Sequence, residues 1–188
     1  SPDMFYEGGK VIANARKTLV RDSEHDWYER EDEEALPLNK TDVVFMRKDP
    51  PFDMDYIYAT YLLEQAENSG VLVVNKPSSL RDANEKLFAL NFPECIPQTL
   101  VSSSIKKLSE FISEIKTAVV KPLDGMGGSS IFRLRENDPN IAVVLETITS
   151  FYKTKVMIQR FIPEILEGDK RILIINGDPM GAAIARVP

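Results

Sequence analysis

The segment Lys121-Pro122-Leu123-Asp124-Gly125-Met126-Gly127-Gly128-Ser129-Ser130 sets a cation beside a turn with three glycines in four residues. Lacking Cβ atoms, such a turn leaves its backbone N–H groups open to an anionic oxygen, and the hydroxyls of Ser129 and Ser130 add donors. The chemistry this suits is phosphate binding, with Lys121 as the counter-charge. A P-loop would place a lysine and Ser/Thr directly after the last glycine and open a helix, and a dinucleotide fingerprint would also open a helix; neither spacing is present. Taken alone, the segment fits equally a phosphate cradle and a hairpin turn whose glycines only supply positive φ.

Other reactive residue types are scarce. A single Cys95 and a single His25 exclude an internal disulfide and a His-rich or Cys/His zinc site, and they argue against a Cys–His or Ser–His catalytic pair. His25, in a very polar stretch, reads as a surface residue, and Cys95, between Pro93 and Pro97, as a packed or loop thiol. Lys plus Arg number 23 against 29 Asp plus Glu, a net charge of -6, so no broad attraction to nucleic acid or to an anionic membrane is expected and basic groups act locally.

The elements that must position the loop follow from periodicity. Thr117 to Val120 is short and apolar, and Ile131 to Arg135 alternates apolar and basic residues, so the loop is a flap between two strands. Upstream, Ser104 to Lys116 carries Ile105, Leu108, Ile112 and Ile115 at helical spacing, after a strand at Gln98 to Val101. Downstream come a helix at about Ile141 to Phe151, a strand at Lys155 to Ile162, and strands at Lys170 to Asn176 and Met180 to Val187 that meet at Asn176-Gly177-Asp178-Pro179. This half alternates around a small mixed sheet.

In the first half, Met4 to Tyr6 and Val11 to Val20 flank a tight turn. Acid-rich Arg21 to Lys40 is expected to be a solvated loop or short helix. A strand at Asp42 to Arg47, a helix from an Asp53 cap to about Ser69 with Ile57, Tyr61 and Leu62 on its apolar side, and a strand at Val71 to Asn75 make a parallel α/β unit. Ser78 to Phe92 reads as a further helix. The proline-rich connector Phe92 to Pro97 marks the boundary between a domain at residues 1-95 and one at residues 96-188. With 43% hydrophobic residues the chain can bury the cores of two modest domains. No apolar run reaches the length of a membrane span and Ser1-Pro2-Asp3 opens no signal peptide, so a cytoplasmic location is expected.

Read together, MRKDPPFD at Met46 to Asp53, NKPSSLRDANEKL at Asn75 to Leu87, KPLDGMGGSSIFR at Lys121 to Arg133 and EGDKRILIINGDP at Glu167 to Pro179 resemble bacterial glutathione synthetase, an ATP-grasp ligase, along nearly the whole chain. The resemblance implies an α/β fold of partial ATP-grasp architecture, with an N-terminal parallel α/β piece followed by an α+β nucleotide-binding subdomain carrying the glycine-rich flap. It implies that Lys86 and Lys121 hold ATP phosphates beneath a flap of Gly125, Gly127, Gly128 and Ser129. Alone, Lys86 would read as a solvated helix charge. Backbone groups at Arg160 and Ile162 would meet the adenine edge, with Gln159 adding a polar contact and Phe161 an aromatic one. Asp169 corresponds to a ribose-binding carboxylate, although a turn residue after Gly168 is a close competitor. Arg171 and Arg186 correspond to arginines near the transferred phosphate and the acyl end of the substrate, and Arg47 to a residue on the peptide-substrate side.

The implied reaction joins γ-glutamylcysteine to glycine with ATP and Mg2+, through an acyl phosphate, in a tetrameric homo-oligomer. It needs no protein nucleophile, which suits a chain with one cysteine and one histidine. The family's magnesium ligands are expected beyond Pro188, so no metal ligand is assigned and the isolated chain is expected to be inactive. Two alternatives stay open at this point: another carboxylate–amine ligase of the same fold, or a non-catalytic nucleotide-binding module if 188 residues are the whole protein.

Overall fold

The structure, a computed structural model, describes residues 4–48, 51–125 and 128–187. The chain separates into two compact units, Ser1–Asn91 with Asp124–Ser129, and Phe92–Leu123 with Ser130–Pro188.

The first unit opens with strands β1 (Met4–Glu7) and β2 (Lys10–Val20), antiparallel about a two-residue turn. Gly8 and Gly9 there take φ of 56° and 80°, the left-handed values that such a tight hairpin demands of both central residues. Strand β3 (Tyr28–Pro37) pairs antiparallel with β2, where a loop or short helix was expected from the acidic composition. The reason lies across the ladder. Lys17 Nζ reaches Glu31 at 2.7 Å, Arg16 reaches Glu33 at 3.4 Å, and Arg21 pairs with Glu29, so the acids of β3 meet their counter-charges on β2.

Strands β4 (Val43–Phe45) and β5 (Leu72–Val74) are parallel and joined by helix α1 (Met54–Asn68), the unit expected from the sequence. The Asp53 carboxylate caps α1, accepting from the Tyr56 N–H at 2.9 Å. Its fully buried face is Tyr56, Ala59, Thr60, Leu63 and Ala66; of the expected Ile57, Tyr61 and Leu62, Leu62 packs half-buried against this core and Ile57 is half-buried, whereas Tyr61 is 51% exposed. Small residues at 59, 60 and 66 let the helix approach closely, and side-chain size alone misdirected the expectation. Leu63 and Ala66 join Val11, Leu38, Val71 and Val73 in one core.

The helix expected over Ser78 to Phe92 is broken. Helix α2 covers only Pro77–Asp82, and a 3-10 turn follows at Leu87–Asn91. Between them the Asn84 side chain accepts from the N–H groups of Lys86 and Leu87, at 3.1 and 2.9 Å, and this local bond replaces helical continuation. Lys86 therefore sits in a turn.

In the second unit, strand β6 (Thr99–Ser102), helix α3 (Ile105–Ile115), strands β7 (Thr117–Pro122) and β8 (Phe132–Arg135), helix α4 (Ile141–Ile148) and strand β9 (Val156–Arg160) form a helix-backed sheet of order β6-β9-β7-β8. Every adjacent pair is antiparallel, in contrast to the expected mixed sheet. The β6-α3-β7 run does return its second strand in the same direction, but β9 is inserted between the two. Leu108, Ile112 and Ile115 of α3 and Leu145 of α4 pack on Ala118, Val120, Leu134, Val156 and Ile158. Strands β10 (Asp169–Ile175) and β11 (Asp178–Arg186) form a hairpin of their own, turning at Asn176 and Gly177 with φ of 53° and 89°.

Candidate nucleotide site

The core residues of the four-stranded sheet occupy alternate positions, so the intervening positions face away from α3 and α4. That second face carries Lys121 opposite Met157, Gln159 between Val119 and Thr99, and Arg133 opposite Val119. Pairing thus gathers a cation and a carboxamide on one surface, from segments almost forty residues apart.

Strand β9 ends in a set of partly committed groups. The Gln159 Nε2 donates to Thr99 Oγ1 at 2.9 Å. The Arg160 N–H donates to the Gln98 carbonyl at 2.9 Å, its guanidinium binds the Gln98 side-chain oxygen, and the Phe161 N–H donates to the Thr117 carbonyl at 3.0 Å. The Arg133 guanidinium lies 5.1 Å from the Phe161 ring centroid. Among the described residues the Ile162 N–H has no hydrogen-bond partner, and Ile162 is 49% exposed. An open amide at a strand end, beside a polar side chain on the sheet face, suits a planar heterocycle with an acceptor nitrogen.

The flap is a β7–β8 connection as expected. Gly128 has φ of 78° and a Cβ there would meet nothing within 4 Å, so the turn needs glycine for its backbone and leaves open space above it. Ser129 is exposed, and Gly127 lies outside the described residues. Within the first unit, Lys86 Nζ donates to the Gly125 carbonyl at 2.6 Å and pairs with Glu85. Lys86 is only 10% exposed in its side chain, so it is an anchoring cation rather than a solvated charge. Arg47, also in the first unit, is exposed and borders a 490 Å³ cavity whose wall includes Met4, Val44 and Leu63.

Asp169 and Arg186, read from the sequence as two separate site groups, face each other across the β10–β11 ladder and bond twice, with Nε to Oδ1 at 2.7 Å. Arg186 holds the Asp169 carboxyl below the usual carboxylate range, chiefly by that hydrogen bond, and Arg171 adds to the effect by its charge. The guanidinium is in turn shifted up by Asp169. Arg171 lies two residues along β10 and is exposed. Three contributors escaped the sequence reading: Thr99, Gln98 and Arg133. Each acts through a cross-strand partner, and no local motif marks them.

Among the described residues no group of three His, Cys, Asp or Glu side chains converges to hold a metal ion. Cys95 is exposed, as is His25. No described helix is long and apolar enough to cross a membrane.

Residues 85–188 match the family model for the prokaryotic glutathione synthetase ATP-grasp domain, and residues 1–81 match that for the N-terminal domain of the same family. The chain belongs to the prokaryotic glutathione synthetase family. Its ATP-grasp half contains the sheet face, the flap and the open Ile162 amide. Over 186 residues it is 53% identical to the glutathione synthetase of Coxiella burnetii and 51% identical to that of Pseudomonas aeruginosa, covering 99% of this chain in both cases. It spans 58% and 59% of those relatives' lengths. In fold it is similar to D-alanyl-alanine synthetase A from Vibrio cholerae, with a TM-score of 0.57 at 13% identity over 98% of this chain and 56% of that one. The α/β architecture is therefore that of an ATP-grasp protein, in part.

Proposed function

We propose that this chain carries the nucleotide-binding part of an ATP-dependent ligase that joins glycine to γ-glutamylcysteine through an acyl phosphate, giving glutathione, ADP and phosphate. The observation that carries the reading is the shared sheet face of Lys121 and Gln159 beside the unpartnered Ile162 N–H. In this reading Lys121 and Lys86 neutralise phosphate charge, and the flap residues Gly125, Gly127, Gly128 and Ser129 offer N–H and hydroxyl donors to it. The Arg160 carbonyl and Ile162 N–H meet the adenine edge, Gln159 and Phe161 flank it, and Asp169 takes the ribose diol. In the same reading Arg171 serves the acyl end, Arg186 does so by exchanging its Asp169 partner for substrate, and Arg47 serves the peptide substrate.

Such chemistry aligns a carboxylate with a phosphoryl group and shields the acyl phosphate from water, so it asks for cations and N–H donors rather than a nucleophile. Mg2+ accompanies ATP in this reading, and no residue of this chain is assigned to hold it; among the described residues no group of three His, Cys, Asp or Glu side chains converges. The reading carries with it a cytoplasmic, tetrameric parent protein. Its test is phosphate release by the parent protein from Mg-ATP. Turnover is expected only when γ-glutamylcysteine and glycine are both supplied, and equal turnover with D-alanine alone would overturn the substrate assignment. Lys121→Ala is expected to weaken ATP binding, and unchanged affinity would reject the phosphate role.

A further inference from the structure

We propose that Thr99 is a positioning residue that makes the site discriminate purines, favouring a base with an amino group at its edge over one with a carbonyl there. The inference rests on the nucleotide site proposed above. Its basis is a chain of hydrogen bonds whose direction is forced. Thr99 Oγ1 lies 2.6 Å from the Pro97 carbonyl oxygen, which can only accept, so the single hydroxyl hydrogen is committed to it. What remains on Thr99 Oγ1 is acceptor capacity, and the Gln159 carboxamide lies 2.9 Å away. Only the NH2 end of that amide can bond there. The Pro97 carbonyl thereby sets the orientation of Gln159 through one intermediate hydroxyl, and the amide is not free to flip.

Consequently the Gln159 Oε1 is held as a fixed acceptor on the end turned away from Thr99, and among the described residues it takes no hydrogen bond. Gln159 shares the sheet face of Lys121 and stands three residues before the open Ile162 N–H. A fixed acceptor near an open donor matches the edge of adenine, which presents an amino donor beside a ring-nitrogen acceptor. The edge of guanine presents a carbonyl oxygen at the corresponding position, and two acceptors would oppose each other. The neighbouring Gln98–Arg160 contacts hold β6 and β9 in register at the same point.

The experiment is calorimetric binding of ADP and of GDP to this chain and to Thr99→Val and Thr99→Ser. Valine keeps the shape of threonine without the hydroxyl, leaving the Gln159 amide free to rotate. The wild type is expected to prefer ADP, Thr99→Val to lose about tenfold of that preference, and Thr99→Ser to retain it. A ratio of affinities is insensitive to a general loss of folded protein. If Thr99→Val nevertheless proves unfolded by circular dichroism, Gln159→Met carries the same test by removing the acceptor itself. A preference unchanged in the variant would overturn the Thr99 role while leaving the nucleotide site standing. Failure of the wild-type chain to bind either nucleotide would instead overturn the site reading, and this inference with it.

Discussion

Replacing Lys86 by methionine removes one charge while keeping most of the side-chain stem, and two opposed consequences are calculable. The Lys86 side chain is 10% exposed and its ammonium sits 2.6 Å from the Gly125 carbonyl oxygen, so solvent screens this bond little; Glu85, 52% exposed, adds less. A hydrogen bond from a charged donor contributes about 1.5–3 kcal/mol, and its loss leaves the Gly125 carbonyl without its cation. The first unit is therefore expected to lose up to about 1.5–3 kcal/mol of stability, read by denaturant unfolding. The effect on ATP is smaller. If Lys86 turns to phosphate on binding, the wild type gives up the Gly125 bond as it gains the new one, and the two nearly offset. Lys86→Met should weaken ATP binding by about tenfold or less in calorimetry. Unchanged unfolding would show that the contact holds nothing. An affinity loss far beyond a hundredfold would show that no bond is exchanged on binding.

Further outcomes follow from the packing and the β10–β11 hairpin. Ile112 is 1% exposed in the core beneath the sheet, and Ile112→Ala is expected to cost about 2–5 kcal/mol by denaturant unfolding; a loss within about 0.5 kcal/mol would mean that α3 does not anchor this unit. Gly168 has φ of 111° and an added Cβ would collide with the Arg186 carbonyl oxygen, so Gly168→Ala should disrupt the hairpin entry by about 1–3 kcal/mol and broaden the Asp169 resonances in NMR; wild-type spectra would refute this. Because Arg186 lowers the Asp169 pKa, the pair stabilises the fold above the ordinary carboxylate range, and the contribution is lost as pH falls through the lowered value. Wild type and Asp169→Asn should thus differ in Tm at neutral pH and converge on acidification, whereas a pH-independent gap would show that the charge is not responsible.

Elements whose partners are local were legible. Helix α3 announced itself through Leu108, Ile112 and Ile115 at helical spacing, and the structure adds a Ser104 cap whose side chain accepts from the Lys107 N–H at 3.5 Å. The glycine turns at 8–9 and 176–177 predicted both hairpins because only a left-handed pair of residues closes such a loop. Strand β3 was not legible: Glu29, Glu31 and Glu33 look like a solvated run until Arg21, Lys17 and Arg16 are found opposite them. The break after α2 was hidden for a related reason, since Asn84 ends the helix through its side chain without any Gly or Pro to announce it.

The site divides along the same line. Lys121 and the glycines stand together in the chain, so the proposed phosphate cradle could be suggested from the sequence, but nothing adjacent to Gln159 indicates that its amide has a fixed orientation. That orientation depends on Thr99, sixty residues away, and on the Pro97 carbonyl behind it. In an antiparallel sheet the register decides which side chains meet, and a shift of one residue in β6 against β9 would turn Thr99 to the helix-backed face and put Leu100 beside Gln159. The apolar residues that bind the sheet to α3 and α4 therefore do more than stabilise it. Leu100, Val156 and Ile158 must face the helices, and by occupying that face they oblige Thr99, Gln159 and Lys121 to share the other. The proposed base selectivity and the proposed phosphate contact are in this way tied to one packing constraint, so a register-shifting change in β6 should impair purine discrimination while leaving the Lys121 and flap motifs intact in the sequence.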